Sequence, residues 1–195
     1  MKEEGAAPGR TEEIEVKLPC GDLDAIRERL RGAGAAMDAA LHDEVNDLYD
    51  DEAGRLAAKG CTLRLRRARN EAILTFKGPA RFQGGIKTRQ EREVRVSDAA
   101  ELAAILAGAG FSRGFRYEKR REEWSLSGCA VALDETPIGR FVEIEGSPPA
   151  IREVVSRLGL DFSEAIPYSY AKLYALRRKE DPGLPDHMVF AALPP

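Results

Sequence analysis

The sequence predicts an α+β domain built mainly from antiparallel strands, about eight of them, curled toward a barrel with helices packed outside. Three observations predict it. Short stretches in which charged and apolar residues alternate recur along the chain. Only four stretches carry helical spacing, and they fall between or after the strands. Turn signals such as Lys77-Gly78-Pro79 and Gln83-Gly84-Gly85 punctuate the alternating runs.

The first strand, 12–18, sets the pattern. Side chains two apart share a face of an extended chain, so Glu13, Glu15 and Lys17 line one surface and Ile14, Val16 and Leu18 the other. Further strands are expected at 45–50, 61–68, 71–77, 87–96, 115–125, 129–134 and 140–146. In 61–68, Arg64 and Arg66 alternate with Leu63 and Leu65; in 71–77, Thr75 and Lys77 alternate with Leu74 and Phe76. The strand 87–96 places Arg89, Glu91, Glu93 and Arg95 opposite Val94 and Val96, with Arg92 interrupting the apolar side. Lys119 and Arg121 share a face of 115–125. Glu143 and Glu145 lie opposite Val142 and Ile144, and Asp134 ends the strand before them.

Helices are predicted where the period changes from two to between three and four. Leu23, Ile26 and Leu30 mark the first; Leu102, Ile105 and Leu106 the second; Ile151, Val154, Val155 and Leu158 the third. Each starts near Asp, Ser or Pro and stops at a glycine: Gly32, Gly108 or Gly110, and Gly159. A fourth, 167–179, carries Tyr170, Leu173, Tyr174 and Leu176.

Length and composition bound the function. At 195 residues and 43% apolar, the chain can bury a core as one domain. Thirty basic against 33 acidic side chains leave a formal charge of −3, so any polyanion site is local. The mixed-sign run Lys119-Arg120-Arg121-Glu122-Glu123 argues against nucleic acid. Cys20, Cys61 and Cys129 lack pairwise spacing and read as free thiols of a reducing compartment. His42 and His187 have no partner at zinc-ligand spacing. No apolar run reaches the roughly 20 residues of a membrane span and no secretory signal opens the chain, so a cytoplasmic protein is expected. Residues 1–10 and the Pro-rich end 181–195 read as loose termini around a domain at 11–180, although Met188, Val189 and Phe190 offer docking side chains.

Two arrangements satisfy the alternation. The charged faces can point to water, as on many half-exposed sheets, or inward, with the apolar faces beneath the helices. About eight strands close a barrel with room for a small ligand. The residue types favour the inward arrangement: the strands present Arg forks, which suit phosphate oxygens, and paired carboxylates, which suit hard cations. Like charges about 4 Å apart repel by roughly 4 kcal/mol at an effective dielectric of about 20. A metal-bound polyphosphate would relieve both sets.

In this ordered set the chain resembles the CYTH superfamily, the triphosphate tunnel metalloenzymes. Its E-x-E-x-K is Glu13, Glu15 and Lys17. LRLR follows with Arg64 and Arg66, LTFKGP with Lys77, TRQEREV with Arg89, Glu91 and Glu93, and KRR with Lys119 and Arg121. LDETPIGRFVEIE supplies Asp134, Glu143 and Glu145, and SYAKL supplies Lys172. The resemblance implies a strand tunnel in which Lys17, Arg64, Arg66, Lys77, Arg89, Lys119, Arg121 and Lys172 hold a triphosphate. It implies Mg²⁺ or Mn²⁺ on Glu13, Glu15, Asp134, Glu143 and Glu145, with Glu91 and Glu93 holding a second metal, orienting the attacking group or neutralising the arginines. Glu13, Glu15, Lys17, Glu91 and Glu93 are thus the candidate catalytic residues. The layout is closer to the bacterial cyclase-type branch, which converts ATP to cyclic AMP and pyrophosphate. The alternative is hydrolysis of thiamine triphosphate or tripolyphosphate with release of orthophosphate; a non-catalytic polyphosphate binder is a third reading. The expected partner is a small-molecule triphosphate, with no nucleic acid and no membrane, in a monomer or homodimer.

Overall fold

A computed structural model of the chain describes residues 12–191; the expected loose N-terminus, 1–10, lies outside the described residues. Among the described residues nine strands form one sheet: β1 (Glu12–Pro19), β2 (Ala36–Asp51), β3 (Thr62–Ala68), β4 (Glu71–Lys77), β5 (Arg81–Gln83), β6 (Ile86–Val96), β7 (Phe111–Leu126), β8 (Cys129–Thr136) and β9 (Gly139–Glu145). Their order is β1-β9-β8-β7-β2-β3-β4-β6-β5, and β6 also pairs with β1. That last pairing, Glu13 opposite Arg89 and Glu15 opposite Lys87, closes an eight-stranded antiparallel barrel and leaves β5 outside the ring. The predicted fold class is the observed one.

Among the described residues five α-helices pack against the barrel: α1 (Leu23–Gly32), α2 (Arg55–Ala58), α3 (Ala99–Gly108), α4 (Pro148–Arg157) and α5 (Tyr170–Glu180). Asp22 caps α1 by accepting from the Asp24 and Ala25 N–H groups, and Asp98 caps α3 in the same way. Pro148 starts α4, where its missing N–H costs nothing. The apolar stripes of α1 and α4 meet the outward rows of the barrel. Leu23, Ile26, Leu30, Ile151, Val154 and Val155 bury against Val16, Leu18, Val131, Leu133, Val142 and Ile144. Gly159 ends this layer with φ +58, and a Cβ there would meet the Arg29 guanidinium at 2.6 Å.

Three departures from expectation have physical causes. β2 begins at Ala36 rather than 45; its early half, AMDAALHDE, has no β-branched residue and is held extended by the long partner β7. β5 and α2 are too short to show a period. Finally, the chain beyond α5 folds back on the barrel. β8 covers β7 only from Arg120 onward, and Met188 takes the uncovered edge: its N–H donates to the Arg116 carbonyl and its own carbonyl accepts from Glu118 N–H. Its fully buried side chain packs in a cluster with Tyr117, Phe141, Tyr170 and Tyr174.

Met188→Ala should therefore lower the unfolding free energy by about 2–5 kcal/mol, the range for emptying a buried thioether site, as measured by urea titration. An unchanged midpoint would show that this segment contributes nothing to the core.

Candidate active site

The inward rows enclose a cavity of about 520 Å³. It is lined from every side by charge: Glu13, Glu15 and Lys17 from β1, Arg64 and Arg66 from β3, Lys77 from β4, Arg89, Glu91 and Glu93 from β6, Lys119 and Arg121 from β7, and Glu143 and Glu145 from β9. Thirteen of the fifteen residues singled out from the sequence thus face one space. The alternation of each strand and the closure of the ring put them there.

Within the cavity, acids and bases neutralise one another across strands. Lys77 Nζ lies 2.7 Å from Glu13 and 2.8 Å from Glu91. Arg89 Nε donates to Glu13 at 2.7 Å, and Lys87 pairs with Glu15. Lys17 Nζ sits 3.3 Å from Glu143, donates to the Tyr168 carbonyl at 3.2 Å and lies over the Tyr170 ring at 3.7 Å. Arg64 donates to Thr75 Oγ1 at 3.2 Å, and Thr75 donates to Glu93 at 2.8 Å.

This lattice moves the titrations. Burial pushes the Glu143 carboxyl up, but Lys17, Lys119 and Arg121 outweigh it and hold the group well below the ordinary carboxylate range. Glu13 is likewise lowered, with Lys77 and Arg89 overcoming burial. Burial brings the Lys17 ammonium down, against the opposing pull of Glu143 and Glu15. For the Tyr117 phenol burial works upward, yet Arg64, Lys119 and Arg66 bring it below its usual value.

The remaining two residues lie elsewhere. Asp134 has no exposed surface and sits behind the lining. Its carboxylate accepts from Lys119 at 3.1 Å, twice from Arg121 at 2.7 Å, and from Tyr170 O–H at 2.7 Å. This bracing aims Lys119 and Arg121 into the cavity. Lys172 is exposed on the first turn of α5, outside the lining.

Other lining or adjoining groups did not stand out in the sequence. Glu44, 1% exposed, lies 3.5 Å from both Arg66 and Lys119. Burial pushes its carboxyl up, but Lys119, Arg66 and Arg121 hold it far below the usual range. Its signal was the period-two row His42, Glu44, Asn46, hidden because the strand was expected to start at 45. Lys87, Tyr117 and Tyr170 also line the cavity; Lys87 stands on the same period-two row as Arg89.

The cavity's fit to a metal rests on β1 and β9. Their register sets Glu15 directly opposite Glu145, both lining the cavity. Two carboxylates facing one space offer the oxygen donors that a hard divalent cation takes.

The fold is a closed antiparallel barrel around a self-neutralised ionic interior. The CYTH domain model matches residues 11–156, and the chain belongs to that family. A Methanocaldococcus jannaschii protein named "Putative adenylate cyclase" is 27% identical over 143 residues, 72% of this chain and 80% of the relative. A Vibrio parahaemolyticus structure with the same kind of name superposes with a TM-score of 0.75 at 16% identity, covering 86% of this chain and 99% of that one. A Hippeastrum adenylyl cyclase-named protein, described as revealing a dominant triphosphatase activity, gives a TM-score of 0.58 at 21% identity over 86% and 96% of the two chains. These two structures share the fold. Among the described residues no helix is long and apolar enough to cross a membrane.

The depressed carboxylates give a pH prediction. Their folded values lie below the unfolded glutamate value of about 4.3, so the stability they contribute is complete above that value and drains as pH falls through the folded ones. Unfolding free energy from urea titrations should hold from neutrality to about pH 5 and decline steadily below. Stability that rises on acidification would contradict the lattice.

Proposed function

We propose that this CYTH protein is a divalent-metal-dependent enzyme that cleaves a phosphoanhydride bond of a triphosphate. The observation that carries the reading is the convergence of Arg64, Arg66, Lys77, Lys119 and Arg121 with Glu13, Glu15, Glu143 and Glu145 on one cavity. A water-facing sheet would have no use for that convergence.

In this reading the bases from β3, β4 and β7 take the phosphate oxygens. They offer fixed cations to a transition state whose charge spreads over those oxygens, which is most of what phosphoryl transfer asks of a protein. A Mg²⁺ or Mn²⁺ ion held by Glu13, Glu15, Glu143 and Glu145 would supply further charge neutralisation and a Lewis-acid contact. Asp134 keeps Lys119 and Arg121 aimed inward while they exchange Glu143 for phosphate. Glu91 and Glu93 orient the attacking group. Thr75 fixes Glu93, and its carboxyl is held below the ordinary value, burial being overcome by Thr75 and the neighbouring arginines.

Hydrolysis by water is our first reading, because most of the lining side chains are charged. The activity described for the Hippeastrum protein points the same way. Cyclisation of ATP to cyclic AMP and pyrophosphate is the second reading, favoured by the names of the Methanocaldococcus and Vibrio proteins. The two differ in nucleophile: water at the terminal phosphorus, or the ribose 3′-hydroxyl at the α-phosphorus.

Incubation with tripolyphosphate, thiamine triphosphate or ATP, with Mg²⁺ or Mn²⁺, should release orthophosphate; cyclic AMP in its place would establish the second reading. Glu13→Gln should cut metal-dependent turnover by about 100-fold, the scale for losing one transition-state contact, while the protein stays folded. Arg66→Ala should raise KM more than it lowers kcat. Tripolyphosphate with metal at 100 times its Kd should stabilise the fold by about 2.7 kcal/mol. No product from any substrate, together with a flat melting temperature, would overturn the proposal.

A further inference from the structure

At the early end of β2 the structure holds a second cluster, distinct in chemistry from the carboxylates of β1 and β9. Between Ala39 and His42 the register against β7 shifts. Ala39 lies opposite Glu123 and His42 opposite Arg121, so three residues on β2 span two on its partner. Such a bulge re-aims side chains. Here it turns His42 onto the same inward row as Glu44 and toward Glu123.

The imidazole is nine-tenths buried, with a side-chain exposure of 10%. Its Nδ1 lies 2.9 Å from the Ala40 carbonyl, which acts as acceptor and so places the proton on Nδ1. Nε2 is shielded from solvent and without a hydrogen-bond partner. A carbonyl on one ring nitrogen and nothing on the other is how metal-binding histidines are oriented. A small cavity of about 40 Å³ is lined by His42, Glu44, Arg66 and Glu123 among others, of which Arg66 and Glu123 also line the large cavity. That is room for one ion or water.

One ligand atom each from His42, Glu44 and Glu123 lie within 4.8 Å of one another, and Nε2 is 3.9 Å from Glu44 Oε1. The present occupants hold loosely. Arg66 and Lys119 stand 3.5 Å from Glu44, and Arg69 stands 3.6 Å from Glu123. All three exceed the roughly 2.7–2.9 Å of a charge-assisted hydrogen bond, and Glu44 Oε2 makes no hydrogen bond.

We infer that His42, Glu44 and Glu123 form a second cation site, one that takes a borderline transition-metal ion such as Zn²⁺. One imidazole nitrogen with two carboxylates suits such an ion, whereas Mg²⁺ takes oxygen donors and keeps its waters. An ion here draws Glu44 away from Arg66 and Lys119, two cations that also line the large cavity. The site stands whether or not the triphosphate reading holds, because none of its three ligands is assigned to that chemistry.

The two histidines of the chain make a direct test possible. In ¹⁵N-labelled protein, Zn²⁺ is titrated to one equivalent in millimolar Mg²⁺ while the ring nitrogens are followed by NMR. His187, whose Nδ1 accepts from Arg116 N–H, is the internal control. The Nε2 resonance of His42 should move to saturation while His187 stays in place. Glu123→Gln should raise the zinc concentration needed by at least about tenfold, the scale for altered metal shells, with an unchanged His187 signal reporting the fold. An unmoved His42 ring, displacement of the ion by Mg²⁺, or an unaltered titration in Glu123→Gln would each overturn the assignment.

Discussion

Closing a barrel around ionic side chains is possible only if opposite charges meet across strands, and the pairing of β1 with β6 and β9 satisfies that condition. Glu13 receives Arg89 and Lys77, Glu15 receives Lys87, and Glu143 receives Lys17 and Arg121. Removing one member of such a buried pair leaves the other uncompensated, at a cost of several kcal/mol. The hydrophobic half of the structure follows from the same constraint. With the ionic rows inside, Val16, Leu18, Val142 and Ile144 must face out, and α1 and α4 exist to cover them.

The same lattice explains how an interior so charged can release its own contacts. A buried ion pair is close to break-even against its desolvation, so a ligand that offers opposite charge to both partners can replace it at small net cost. In the proposed reading a polyphosphate would take the bases as a cation takes the acids, coupling the two ligands through the residues they displace. Asp134 stands apart from this exchange. With four donors on its carboxylate it holds Lys119, Arg121 and Tyr170 in place.

Strand alternation carried most of this information in one dimension. Period two in Glu13, Glu15, Lys17 and in Glu143, Glu145 placed each set on a common face, and the choice of Arg and paired Glu over neutral polar residues said that the face turns inward. What alternation could not reveal was depth. Asp134 and Glu143 look alike in sequence, yet one is buried behind the lining and the other is on it, a distinction set by strand stagger and by Tyr170 arriving from α5. Register shifts were equally invisible: nothing in Ala39-Ala40-Leu41-His42 announces the bulge that turns His42 inward. Met188 lay in a segment whose composition read as a tail, and only the edge of β7 left open by β8 gives it a place.

The account stands on the inward ionic rows being a binding site for a metal-bound triphosphate. Diffraction from crystals grown with tripolyphosphate and Mn²⁺, recorded at the manganese absorption edge, tests this most directly. An anomalous peak between Glu15 and Glu145, with phosphate density against Arg64, Lys119 and Arg121, is the expected result. Phosphate density confined to the outer surface, with no manganese inside the barrel, would contradict it.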